Sequence, residues 1–77
     1  GSIRAFGSAE LHRICGLLEV DLPDDVEVAT VGGLFSEVLG RIPRQGDTID
    51  WQGQRLTVLS ASRRGVDLVS VVPLTKR

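Results

Sequence analysis

Few residues in this chain are equipped for chemistry, and each has a plainer role competing for it. His12 is the single histidine and Cys15 the single cysteine. Three positions apart on a helix, the two side chains would be neighbours. A thiol activated by an imidazole needs the pair in hydrogen-bond reach and a third group to orient the base. The apolar spacing places Cys15 on the buried stripe and His12 at its edge, and no orienting group is evident. Cys15 is therefore read as a small core hydrophobe and His12 as a surface residue, with no catalytic residue assigned. A lone cysteine also excludes an internal disulfide and a Cys-rich zinc site, and it fits a reducing compartment.

Carboxylates offer a second chemistry. Asp21, Asp24, Asp25 and Glu27 crowd into one short segment, and oxygen ligands of this kind suit a hard divalent cation. The segment lacks the alternate spacing and closing Glu of a helix–loop–helix calcium site, so solvated loop charge competes with metal binding. Gly32-Gly33 at a helix start suggests phosphate held by free N–H groups. No GxxxxGK[ST] or strand-linked GxGxxG accompanies it, and close backbone packing is the simpler reading. Trp51, Arg55, Arg63 and Arg64 are the candidates for a protein-contact surface. The same residues are too few, in too acidic a chain, to make the basic, aromatic-studded surface of a nucleic-acid binder.

These residues must be held by short elements. Ile3–Phe6 reads as a first strand ended by Gly7. A helix over 9–18 follows, with Ser8 as its N-cap. Leu11, Ile14, Cys15 and Leu18 fall on one face of it. The run from Asp21 to Asp25 contains Pro23 and reads as an acidic loop. A second helix starts at Thr30, carries Val31, Leu34, Phe35, Val38 and Leu39 as its apolar stripe, and ends at Gly40 in left-handed geometry. Past Pro43 the period changes to two. Strands are expected over 48–51, 55–61 and 66–72, joined by turns at Gln52-Gly53 and Arg63-Arg64-Gly65. The order β-α-α-β-β-β gives an α+β fold, a small antiparallel sheet with two helices.

Seventy-seven residues make one domain, expected to have its core over 3–72 and a tail over 73–77. A domain this short buries only roughly 60% of its unfolded surface, so it gains from a partner. The chain does not begin with Met and reads as a piece of a longer protein. It has no apolar run near the ~20 residues that span a bilayer. Net charge is −1, but the acids gather before residue 38 and the bases after it, an asymmetry that can orient a domain on a partner or on its own copy.

Thr30-Val31-Gly32-Gly33-Leu34, then Leu39-Gly40-Arg41-Ile42-Pro43, then Gly46-Asp47 resemble the signature of the CorC/HlyC-type transporter-associated domain. Leu18 to Pro23 resembles that family's L-G-L-D-L-P, with Glu19 standing where the family often has Gly. Leu56-Thr57-Val58-Leu59 resembles its R-F-x-V-L strand, and Ser62-Arg63-Arg64-Gly65 departs from its usual acidic-Gly-Arg-Arg turn. The resemblance spans residues 3–72.

The resemblance implies a domain following a pair of CBS domains, in a bacterial parent linked to magnesium and cobalt efflux or labelled hemolysin-like. It implies a position on the cytoplasmic side of the inner membrane, with no membrane insertion by the domain itself. It also implies a fold similar to the second subdomain of PCMH-type FAD-binding domains. Three functions follow as expectations. One is a non-catalytic regulatory or assembly module, contacting the CBS domains or a homodimer mate. Another is a divalent-cation sensor using the acidic loop. The last is an adenine-nucleotide or flavin (FAD) binder.

Overall fold

The computed structural model describes residues 3–74. The chain runs β1 (Ile3–Phe6), α1 (Leu11–Leu18), α2 (Val31–Leu39), β2 (Thr48–Trp51), β3 (Gln54–Ser62) and β4 (Gly65–Pro73). The four strands form one antiparallel sheet in the order β1-β4-β3-β2. Both helices lie on one face of it.

The period-two pattern explains the layering. Ala5, Val69 and Val58 face each other across three strands, and Val71, Leu56 and Ile49 make the next row. All six are buried. Alternate residues must then point away from the helices. Onto the buried rows α1 sets Leu11, Ile14 and Cys15, and α2 sets Val31, Leu34 and Phe35. Two register shifts near Ser60 compensate each other, the first skipping Leu59 on β3 and the second skipping Asp67 on β4. Ala61 and Val66 consequently return to the core side, where both pack partly buried against it.

Helix α2 is bounded as expected. The Thr30 hydroxyl accepts a 3.1 Å hydrogen bond from the Gly33 N–H, and Gly40 is left-handed at φ 69°. Helix α1 corrects the sequence expectation. It starts at Leu11, its N-cap is Glu10, and no side chain caps it. Ser8 instead sits in the turn that follows β1. The reason is a tertiary contact that local propensity does not encode: Glu10 and Thr30 form an isolated antiparallel bridge. The Leu11 N–H donates to the Ala29 carbonyl and the Val31 N–H to the Ala9 carbonyl. The two helix starts thus satisfy each other's backbone, and Ser8 is not needed as a cap.

At the other end of α1, Glu19 holds φ 59°, ψ 40°, and its N–H closes the helix onto the Cys15 and Gly16 carbonyls. This is the left-handed terminus that glycine adopts without steric cost. The expected tail also begins later than position 73. Strand β4 extends through Pro73, and the Leu74 N–H donates to the Gly53 carbonyl. The remainder, 75–77, lies outside the described residues.

Candidate functional site

The acidic segment is an anchored loop, not a cage. Val20, Leu22, Val26 and Val28 pack partly buried against the core. They alternate with or flank Asp21, Asp24, Asp25 and Glu27, which are all exposed. Turning the apolar side chains inward turns the carboxylates outward and apart. Among the described residues no three potential ligands come together to hold a metal. The loop is tied to the β2–β3 hairpin by the Gln52 side-chain amide, which donates to the Asp21 carbonyl at 2.7 Å.

Cys15 is buried and unbridged, and burial pushes its thiol pKa up, the opposite of activation. His12 is exposed, with Glu10 at 3.7 Å. The structure therefore separates the two by environment.

A shallow cleft of about 480 Å³ opens where Gly7-Ser8, the first turn of α2 and the Arg64-Gly65 turn meet. The N–H groups at this helix start already have partners. Val31 donates to Ala9, Gly32 to the Gly7 carbonyl at 2.9 Å, and Gly33 to Thr30. A Cβ on Gly32 would come within 3.2 Å of that Gly7 oxygen. Gly32 thus serves close backbone packing, as the simpler reading of the Gly-Gly pair had it.

The four candidate contact residues do not form one surface. Trp51 follows Ile49 by two and lies on the helix-covered side, half-buried against the core. Arg55 lies on the opposite face of the sheet. It donates through Nε and an Nη to the two oxygens of Asp50, at 2.9 and 3.3 Å. The guanidinium holds the Asp50 carboxyl below its ordinary range, and the carboxylate raises Arg55 in return. Arg63 and Arg64 are exposed in the β3–β4 turn, a nine-residue strand away from Trp51, or about 30 Å at ~3.3 Å per residue.

A tighter cluster joins the end of α2 to β2. Asp47 accepts from both terminal nitrogens of Arg41 at 2.9 and 2.8 Å and from the Arg44 N–H at 2.7 Å. These bonds, the Arg41 pair first, hold its carboxyl below the ordinary range. The arrangement is a fork-to-fork clasp that fixes the loop carrying Arg41-Ile42-Pro43.

Sequence reasoning reaches the open face of the sheet only through Arg55, not through its exposed apolar side chains. Phe6 is 69% exposed and Val72 41%. Both follow a buried residue in their strand, Ala5 and Val71, so both project away from the helices. Leu68 pairs with Phe6 across β1 and β4 on this same face. The sequence carried a signal for it, the alternation of apolar residues on both sides of β1 and β4.

Comparison with known proteins now decides the family. The model of the transporter associated domain, CorC_HlyC, matches residues 1–75. This chain belongs to the CorC_HlyC family. It is 42% identical over 67 residues to the UPF0053 inner membrane protein YoaE of Escherichia coli strain K12, covering 86% of this chain and 13% of that one. It is 40% identical over 47 residues to the magnesium and cobalt efflux protein CorC of Salmonella typhimurium, covering 61% and 16%. The transporter associated domain from a CBS domain protein of Porphyromonas gingivalis superposes with a TM-score of 0.79. It is 27% identical and covers 97% of this chain and 91% of that one. The chain therefore spans well under a quarter of the curated relatives it matches. No helix among the described residues is long and apolar enough to cross a membrane.

Proposed function

We propose that this CorC_HlyC domain is a non-catalytic contact module of a larger ion-transport protein. It packs its open sheet face against a neighbouring domain or a second copy, and it couples the state of that neighbour to transport. The observation that carries this reading is the open face itself. It presents Phe6, Leu68 and Val72 where a solvated sheet face carries mainly polar side chains. The family's association with transporters supplies the setting. CBS domains on the cytoplasmic side of the inner membrane are the proposed neighbours. Inner-membrane and CBS-domain relatives support this placement.

The test is a substitution in the full-length protein. Phe6→Asp changes only an exposed side chain and should leave folding and abundance unchanged. Magnesium or cobalt efflux from loaded cells should fall. Unchanged efflux with normal abundance contradicts the reading.

A thermal-unfolding screen of the domain with magnesium, cobalt, calcium, FAD and ATP separates the contact module from a ligand sensor. A ligand at 100 times its dissociation constant adds about 2.7 kcal/mol, which in a domain this small raises the midpoint by roughly 4–8 °C per kcal/mol. No shift is expected from any of the five. A shift of that size with one of them replaces the contact module by a sensor of that ligand.

A further inference from the structure

The helix-covered side of the sheet is not covered to its end. Ile3 stands level with Val71, Leu56 and Ile49 across the four strands. Those three are buried, yet Ile3 is 39% exposed. Two residues further along their strands, Trp51, Gln54 and Pro73 make the last row on the same side. Trp51 and Gln54 are only partly buried, and Pro73 is exposed. In the middle of this row the Gln54 side-chain oxygen is shut off from water and has no hydrogen-bond partner among the described residues. Such an acceptor destabilises the fold until a donor reaches it. The row itself is held in place, since the Gln52 side chain ties the β2–β3 hairpin to the Asp21 carbonyl.

The chain enters the fold at this row. β1 runs antiparallel to β4 with Ile3 against Val71, so the polypeptide that leads into Ile3 arrives alongside Pro73. At the end of β4 the chain has already passed the row, and the Leu74 N–H is tied to the Gly53 carbonyl. In YoaE and CorC the matched part is 13% and 16% of the length.

We infer that the parent's own segment leading into Ile3 lies across this row. It sets an apolar side chain on Trp51 and Ile3 and brings a backbone N–H to the Gln54 amide once that amide turns outward. The inference rests on the contact-module reading, in which the domain belongs to a larger chain. Tethering selects this occupant. A segment joined covalently beside Pro73 has an effective concentration that a separate partner does not match, so a small contact is enough to hold it.

The experiment is hydroxyl-radical footprinting, read by mass spectrometry, on three proteins. These are the full-length protein, this chain, and this chain extended upstream by the parent's preceding residues. With the exposed Leu17 of α1 as the reference, Trp51 should be oxidised severalfold more slowly in the full-length protein and in the extended chain than in this chain. Gln54→Leu nearly keeps the size of the side chain and removes the acceptor. It should leave or raise the thermal-unfolding midpoint of this chain and lower that of the extended one. Equal oxidation of Trp51 with and without the upstream residues overturns the inference, as does a Gln54→Leu effect of equal size in both chains. If Trp51 is equally open in the full-length protein while Phe6→Asp still lowers efflux, the upstream segment is removed and the contact module stands. A protected Trp51 beside efflux indifferent to Phe6→Asp keeps the segment and removes the open-face reading.

Discussion

The two faces of the sheet are built from the same strands and behave as opposites. On the covered face Val58, Val69 and Val71 meet Phe35, Leu34 and Val31, and none of the six is more than 2% exposed. On the open face Phe6, next to the buried Ala5 in β1, and Val72, next to Val71 in β4, stand in solvent. Strand chemistry distinguishes the faces in β2 and β3, whose open positions are Thr48, Asp50, Arg55 and Thr57, but β4 places Leu68 and Val72 on the open face as well. The helices cover one side only. The exposed Phe6 and Val72 are what the proposed contact rests on. The helix layer also exposes Leu17, Val38 and Ile42. These stand in helix or loop positions interspersed with Arg13, Glu37 and Arg41, and isolated exposed residues of this kind are ordinary.

The comparison makes its largest prediction at two phenylalanines. Phe35→Ala should cost about 3–5 kcal/mol, a cavity under α2 that such a small domain cannot tolerate. Phe6→Ala should change stability by no more than about 0.5 kcal/mol, since its ring is already in water. Equal losses at the two sites, read by denaturant unfolding, would mean that the open face supports the fold and is no docking surface.

Next in size is the cap that anchors the covering helix. Thr30→Ala removes the acceptor of the Gly33 N–H and should cost about 1 kcal/mol, with Thr30→Ser retaining most of it. Glu19→Gly should act in the opposite direction and stabilise by up to about 1 kcal/mol, because it relieves a left-handed backbone at the end of α1. A destabilised Glu19→Gly variant would show that the Glu side chain makes a compensating contact.

The smallest effect belongs to the exposed clasp. The folded Asp47 carboxyl is held below its ordinary range by Arg41 and the Arg44 N–H. Its contribution is therefore fully present above the unfolded carboxylate pKa and is lost as pH falls through the lower folded value. Asp47→Asn should slightly lower stability at neutral pH and flatten the acid side of the stability profile. An unchanged acid slope would place that dependence elsewhere.

Much of this fold is legible in the sequence because local rules and tertiary packing agree. β1 falls on the apolar stretch that Gly7 ends, β2 falls where the period of two sets it, and Thr30 and Gly40 bound α2 as their chemistry dictates. Helix α1 starts later than its local sequence predicts because the Glu10–Thr30 bridge, a contact twenty residues long in sequence, replaces the Ser8 cap. The departure at Glu19 has a simple outcome, since the residue takes a left-handed geometry of the kind glycine adopts without steric cost. The candidate site was less legible. Acidity alone drew notice to Asp21, Asp24, Asp25 and Glu27, whereas the anchoring of Val20, Leu22, Val26 and Val28 is what points those carboxylates apart. Trp51 and Arg55, close in sequence, fall on opposite faces of the sheet. The exposed apolar side chains of the open face are not legible in the sequence, because an apolar strand declares that it is buried and does not declare by what.

The most direct test of that face is its accessibility in the assembled protein. Cys15 is buried with a raised pKa, so a thiol introduced at the surface reports with little background. Phe6→Cys on the open face and Val38→Cys on the outer side of α2 can be labelled with a maleimide in the full-length protein and in the isolated domain at high dilution. The account predicts that position 6 labels far more slowly in the full-length protein than in the dilute domain, while position 38 labels alike in both. Equal labelling of position 6 in the two settings would mean that nothing covers the open face, and the contact module would be wrong.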